Sequence, residues 1–147
     1  AFCKTEKPIV LLKNIDKNLK KPTLDLAFFI ANADSIFLGE ENTLIDAYKN
    51  EMGLVYSPKQ KSLNAILAAF EQASESDRRT VLFEMTALVV CDGTFSKDER
   101  TVLNQIAKAW GIKPAFVTKA AAISGEVYGL YRQINKLICG PVSAKKG

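Results

Sequence analysis

A single internal repeat restricts the fold of this chain more than any one residue does. Shifted by 58 positions, residues 30–54 (IANADSIFLGEENTLIDAYKNEMGL) align with residues 88–112 (LVVCDGTFSKDERTVLNQIAKAWGI). Asp34/Asp92, Phe37/Phe95, Glu41/Glu99, Thr43/Thr101 and Gly53/Gly111 are identical, and Leu44/Val102, Ile45/Leu103 and Met52/Trp110 match in apolar character. Each copy reads as an apolar helix, a short acidic turn and a second, amphipathic helix. One such hairpin cannot bury its own apolar face, so the two copies are expected to pack on each other.

The period of the apolar residues is helical throughout. Leu63, Ile66, Leu67 and Phe70 stand at i, i+3, i+4 and i+7, as do Leu103, Ile106, Ala107 and Trp110, and Val127, Leu130, Tyr131 and Ile134. No comparable stretch alternates with period two. Ser57-Pro58 with Gln60, and Ser96 with Glu99, read as helix starts; Gly53 and Gly111 read as left-handed helix stops, with Pro58 and Pro114 beyond them. The spacing predicts helices near 8–19, 23–33, 39–52, 58–74, 77–91, 97–110, 114–122 and 125–138. The expected fold is all-α: one compact bundle of about seven to eight helices over residues 1–147. It is built on two hairpins related by a pseudo-two-fold axis, repeat one near 23–54 and repeat two near 80–112. Phe70, Phe83, Met52, Met85 and Trp110 fall on its apolar faces and are expected in the core.

Composition narrows the chemistry. The 147 residues are 48% hydrophobic and 24% charged, one domain's worth of ordinary globular sequence. There is no histidine, which removes Ser/His/Asp triads, Cys/His pairs and imidazole metal ligands. No catalytic residue is nominated, and the chain is not expected to be an enzyme. The net charge of +4 divides unevenly: residues 1–22 carry +4, residues 23–112 carry −5 and residues 113–147 carry +5. The basic ends are short and lack interleaved aromatics, so nucleic acid is disfavoured, and peripheral association with a membrane surface stands as a lesser alternative. No charge-free run exceeds the nine residues 62–70, far from a membrane span. Cys3, Cys91 and Cys139 are an odd set without C-x-x-C spacing that fits a reducing compartment, and Cys91, inside an apolar run, reads as a small apolar residue, which points to a cytoplasmic protein without zinc. The chain opens on alanine with no signal-peptide pattern, so a start methionine or a longer leader is expected ahead of it.

The turns of the two repeats hold the chemistry. Asp34 and Asp92 sit at helix C-termini, where the backbone already presents partial negative charge, so a carboxylate there calls for a positive or hydrogen-donating partner. Seven residues on, Glu41 and Glu99 fall in the first turn of the next helix, beside Glu40 and Asp98. Oxygen donors of this kind suit calcium, magnesium or manganese. The candidate metal ligands are therefore Asp34, Glu41, Asp92 and Glu99, with Glu40 and Asp98 as secondary acids. The plain alternative is that Glu99 is the reciprocal partner of a Ser96 cap and that the other acids favour a helix N-terminus. The spacing is not that of an EF-hand, since the twelfth residue counted from Asp92 is Leu103.

This pattern of Ala87, Asp92, Gly93, Phe95, Ser96 and Glu99, followed by an amphipathic helix and a glycine, resembles the TerB-like domain of tellurite-resistance proteins and DjlA co-chaperones. The likeness covers roughly residues 22–138. Copy one keeps Ala33, Asp34, Phe37 and Glu41 but carries Ser35 and Leu38 where the pattern has glycine and serine. The resemblance implies an all-helical domain of two related hairpins, an acidic cluster that takes a divalent cation, and a non-enzymatic adaptor role in stress or tellurite response through an unidentified protein partner. The alternative is a structural or protein-interaction module without metal. In it, Phe116, Tyr128 and Tyr131 of the basic C-terminal third contribute a partner groove.

Overall fold

In the computed structural model the described residues are 11–32, 39–56, 58–90 and 95–144, with side chains left aside at 39–45 and 140–144. Six α-helices account for most of them: α1 (Lys20–Ala31), α2 (Gly39–Met52), α3 (Leu63–Ala68), α4 (Glu75–Val90), α5 (Lys97–Ala109) and α6 (Pro114–Ala144). Two 3-10 turns, Leu12–Asn14 and Lys17–Leu19, precede α1, and there is no strand among the described residues. Helix α4 is central, packing on α1, α5 and α6, while α2 and α3 pack on α1.

Several positions are buried in both repeats. Thr23, Leu24, Leu26, Ala27, Ile30 and Ala31 of α1 are buried, and so are the residues 58 places later on α4, Val81, Leu82, Glu84, Met85, Leu88 and Val89. Tyr48 and Met52 of α2 likewise correspond to the buried Ile106 and Trp110. Each second helix ends in the same way. Gly53 and Gly111 adopt φ of 67° and 71°, and the N–H groups of Leu54 and Ile112 reach back to the carbonyls of Lys49 and Ala107, each at 2.8 Å. This is the Schellman stop that the glycines predict, and it turns the chain at equivalent points of both copies. The core it closes includes Phe70 against Trp110, ring centroids 5.0 Å apart. Met52 and Met85 are buried as expected, and Phe83 is half-buried between α4 and α6.

Four sequence expectations differ from the structure. The helix expected over 8–19 is replaced, within its described part, by the two 3-10 turns, because side chains of other elements take up the backbone donors: Leu11 N–H goes to Glu84 Oε2 (3.0 Å), Leu12 N–H to Glu51 Oε2 (2.6 Å) and Asp16 N–H to Asp77 Oδ2 (3.3 Å). The helix expected over 58–74 shrinks to Leu63–Ala68, capped by Ser62 rather than Ser57, which lies outside the described residues. Its missing ends are held by tertiary contacts. Lys59 N–H donates to Asp25, and Arg78 donates to the carbonyls of Phe70 and Glu71. The two helices expected over 114–122 and 125–138 are one continuous α6, since one buried face, Val117, Ala120, Ser124 and Tyr128, runs across the junction and outweighs the ~1 kcal/mol cost of Gly125. Finally, Cys139 is disulfide-bonded, with its partner cysteine outside the described residues. This overturns the reading of the odd set as reduced thiols and removes the cysteine argument for a reducing compartment, because pairing follows from Cα distance, which spacing along the chain does not reveal.

Candidate functional site

The acidic turns begin where α1 and α4 end and finish where α2 and α5 start. Asp34 and Asp92 lie outside the described residues, and Glu40 and Glu41 lie in the first turn of α2 where side chains are left aside. Of the six acids singled out by the sequence, Glu99 and Asp98 are therefore the two whose side chains can be placed. Asp98 is exposed on the first turn of α5. Glu99 is only 3% exposed, and it closes a capping box: its Oε1 accepts the Ser96 N–H at 3.0 Å while Ser96 Oγ accepts the Glu99 N–H at 3.1 Å. Next to it, the Arg100 guanidinium lies 4.3 Å from the centroid of the Phe95 ring, which itself packs on the core. The turn of repeat two is thus anchored on its α5 side by capping and packing. No group of three or more His, Cys, Asp or Glu that could hold a metal occurs among the described residues.

Two polar constellations escaped the sequence reading. Asp25, 2% exposed on α1, accepts hydrogen bonds from the Tyr56 hydroxyl (3.0 and 3.2 Å), the Lys59 N–H (3.0 Å) and the Lys61 ammonium (2.9 Å). A buried carboxylate is tolerated when donors surround it, and here they fasten the 53–62 connection to α1. The hydrogen bond to Asp25, and then its charge, hold Lys61 above its ordinary 10.5. Burial, and then the same hydrogen bond, push the Tyr56 hydroxyl above 10.0. The second constellation is the strap of residues 11–19, whose N–H groups are received by Glu84, Glu51 and Asp77 and whose Leu12, Ile15 and Leu19 enter the core. Glu84 left one trace in the sequence: in the offset of 58 it stands where repeat one has Leu26, a charge at a core position.

Among the described residues a shallow cleft, about 430 Å³, is lined by Asn104, Lys108, Gly111, Ile112, Lys113 and Pro114 at the α5–α6 corner. It contains neither a carboxylate nor a thiol. The larger surface feature is apolar and follows α6: Ile123, Leu130, Ile134, Leu137 and Ile138 are exposed, Leu130 by 59% and Leu137 by 75%. Tyr128, by contrast, is buried against Ala87, with Val127 half-buried beside Phe83 and Val90, and Phe116 packs on the main core. Of the three aromatics expected to line a groove, Tyr128 is therefore an interior contact, whereas Phe116 and Tyr131 are half-buried. No helix among the described residues is long and apolar enough to cross a membrane. Compared with known proteins, the chain matches no family model, no curated protein and no solved structure.

Proposed function

We propose that this chain is a non-enzymatic helical adaptor of the TerB-like kind, two related hairpins whose work is done by a surface that binds another helix. The observation that carries the reading is the run of exposed Ile and Leu along α6, since a contiguous apolar patch of this extent marks an interaction site. The matched burial of α1 and α4 and the matched stops at Gly53 and Gly111 support the two-hairpin reading. The test is a photo-reactive residue placed at Leu137 and, as control, at Val55, which is also exposed but lies in the 53–62 connection. Irradiation should give discrete covalent adducts from position 137 and none from position 55. Equal labelling from both positions removes the reading.

The sequence motif alone supports a second role, in which Asp34, Glu41, Asp92 and Glu99 hold calcium, magnesium or manganese. On that role, millimolar calcium or magnesium raises the melting temperature by mass action, and an Asp34→Asn/Asp92→Asn double variant loses the response. An unchanged melting curve leaves the adaptor without its ion.

A further inference from the structure

We infer that the start of α1 and the 53–62 connection form one lysine-rich face that docks on an anionic lipid bilayer, with Val55 entering the bilayer interface. Residues 17–25 and 52–70 are separate in the sequence, and together they carry five lysines, Lys17, Lys20, Lys21, Lys59 and Lys61, against a single carboxylate, Asp25. The fold joins the two segments. Lys20 Nζ donates to the Met52 carbonyl at 3.3 Å, Lys21 Nζ lies 5.4 Å from the centroid of the Tyr56 ring, and the Lys59 N–H and Lys61 ammonium both reach Asp25 from the connection. Asp25 is only 2% exposed, so the one acid lies beneath the surface while Lys17, Lys21, Lys59 and Lys61 stand exposed on it. Asp16 and Glu51 border the face, and their carboxylates accept the N–H groups of Asn18 and Leu12. Lysines in such excess attract an anionic surface.

Apolar exposure selects lipid as that surface. Leu54 and Tyr56 pack on the core, whereas Val55 between them is 103% exposed. It stands three residues from Met52 and one from Tyr56, the two residues that Lys20 and Lys21 contact, so an outward apolar side chain is flanked by cations. At the boundary between headgroups and acyl chains both are satisfied: the valine leaves water and the ammonium groups meet lipid phosphates.

Other anionic partners fit this face less well. Single-stranded nucleic acid is held by aromatics that stack on bases and by arginine. The two segments contain no arginine, and Tyr56 is half-buried, its hydroxyl on Asp25 and Lys21 over its ring. A small anion is gripped in a concavity, and a side chain as exposed as Val55 marks a convex spot. The cleft lined by Lys108 and Lys113 belongs to α5 and α6 instead.

Co-sedimentation of the full chain with vesicles of phosphatidylcholine, alone or mixed with phosphatidylglycerol, tests the proposal. Binding is expected on the mixed vesicles only, and it should fall as salt rises because the lysines are exposed. Lys17→Glu/Lys59→Glu should weaken it by about twenty-five-fold or more, at about fivefold for each lysine lost, and Val55→Asp by about tenfold or more. Lys108→Glu/Lys113→Glu makes the same change in net charge at the α5–α6 corner and should leave binding unchanged. Each replaced side chain is exposed, so the fold should be retained. In Val55→Trp, mixed vesicles should shift the emission to the blue, since Trp110 is already buried. No binding to the mixed vesicles, equal losses in the two lysine variants, or an unshifted emission from position 55 would each overturn the proposal. So would tighter binding to DNA than to the mixed vesicles that Val55→Asp leaves intact. The face shares no residue with the exposed stripe of α6, and position 55 meets lipid rather than protein, so this proposal and the adaptor reading fail separately.

Discussion

Glu99 commits one carboxylate oxygen to the Ser96 N–H, an arrangement that needs no ion. Ser96→Ala should therefore cost about 1 kcal/mol in chemical denaturation, the usual value of a lost N-cap, with calcium present or absent. A calcium-dependent cost would return Glu99 to the ligand set. Gly53 and Gly111 yield a second residue-scale prediction. Both have positive φ, and a Cβ built at either meets nothing within 4 Å. Gly53→Ala and Gly111→Ala should each destabilise by about 1 kcal/mol through backbone strain alone, and equal costs in the two variants would reflect the equivalence of the two stops. These features were legible in the sequence because caps and left-handed stops depend on residues within one turn of each other. Asp25 was not, since its partners Tyr56, Lys59 and Lys61 lie 31–36 residues away.

At the scale of elements, that buried carboxylate fastens the 53–62 connection to α1, beside the packing of Leu54 and Tyr56 on the core. Asp25→Ala should destabilise by about 1–2 kcal/mol, the order expected when hydrogen-bond donors lose their acceptor while the Lys61 ammonium stays in reach of water. The clamp also sets an alkaline limit. Lys61 titrates above 10.5 in the folded chain, so its contribution is full below that pH and is lost as pH rises through the folded value. Tyr56 keeps its proton in the folded chain beyond 10.0, where the unfolded chain has begun to release it, so its effect has the same sign. Stability should be flat from neutral pH to about 10 and decline above it. A Tyr56→Phe/Lys61→Met variant should show a shallower decline, measured by urea midpoints across that range. The short α3 and the 3-10 strap belong to this scale too. Periodicity predicted longer helices there, but carboxylates and Arg78 from distant elements took up the backbone groups that helical turns would have paired.

For the whole molecule, α4 is the element on which the rest is assembled, and α6 extends past it. The aromatic contact of Phe70 with Trp110 ties the turn after α3 to the end of α5. Phe70→Ala should accordingly cost about 4 kcal/mol, the scale of a large aromatic removed from a closed core, and thermal melting is the measurement. A cost below about 1 kcal/mol would place Phe70 at a margin that can collapse.

By itself the amino-acid sequence determined the helical class, the 58-residue repeat with its core positions, the capping box at Ser96 and the stops at Gly53 and Gly111. All of these follow from periodicity or from interactions within a turn of helix. Only the tertiary structure decided that α6 runs unbroken through Gly125, that Asp25 and Glu84 lie buried, that Cys139 is cross-linked, and that one apolar stripe of α6 stays uncovered. Each of those outcomes depends on which surfaces meet across long stretches of chain, and an apolar residue at helical spacing reads the same whether its neighbour is the core or water.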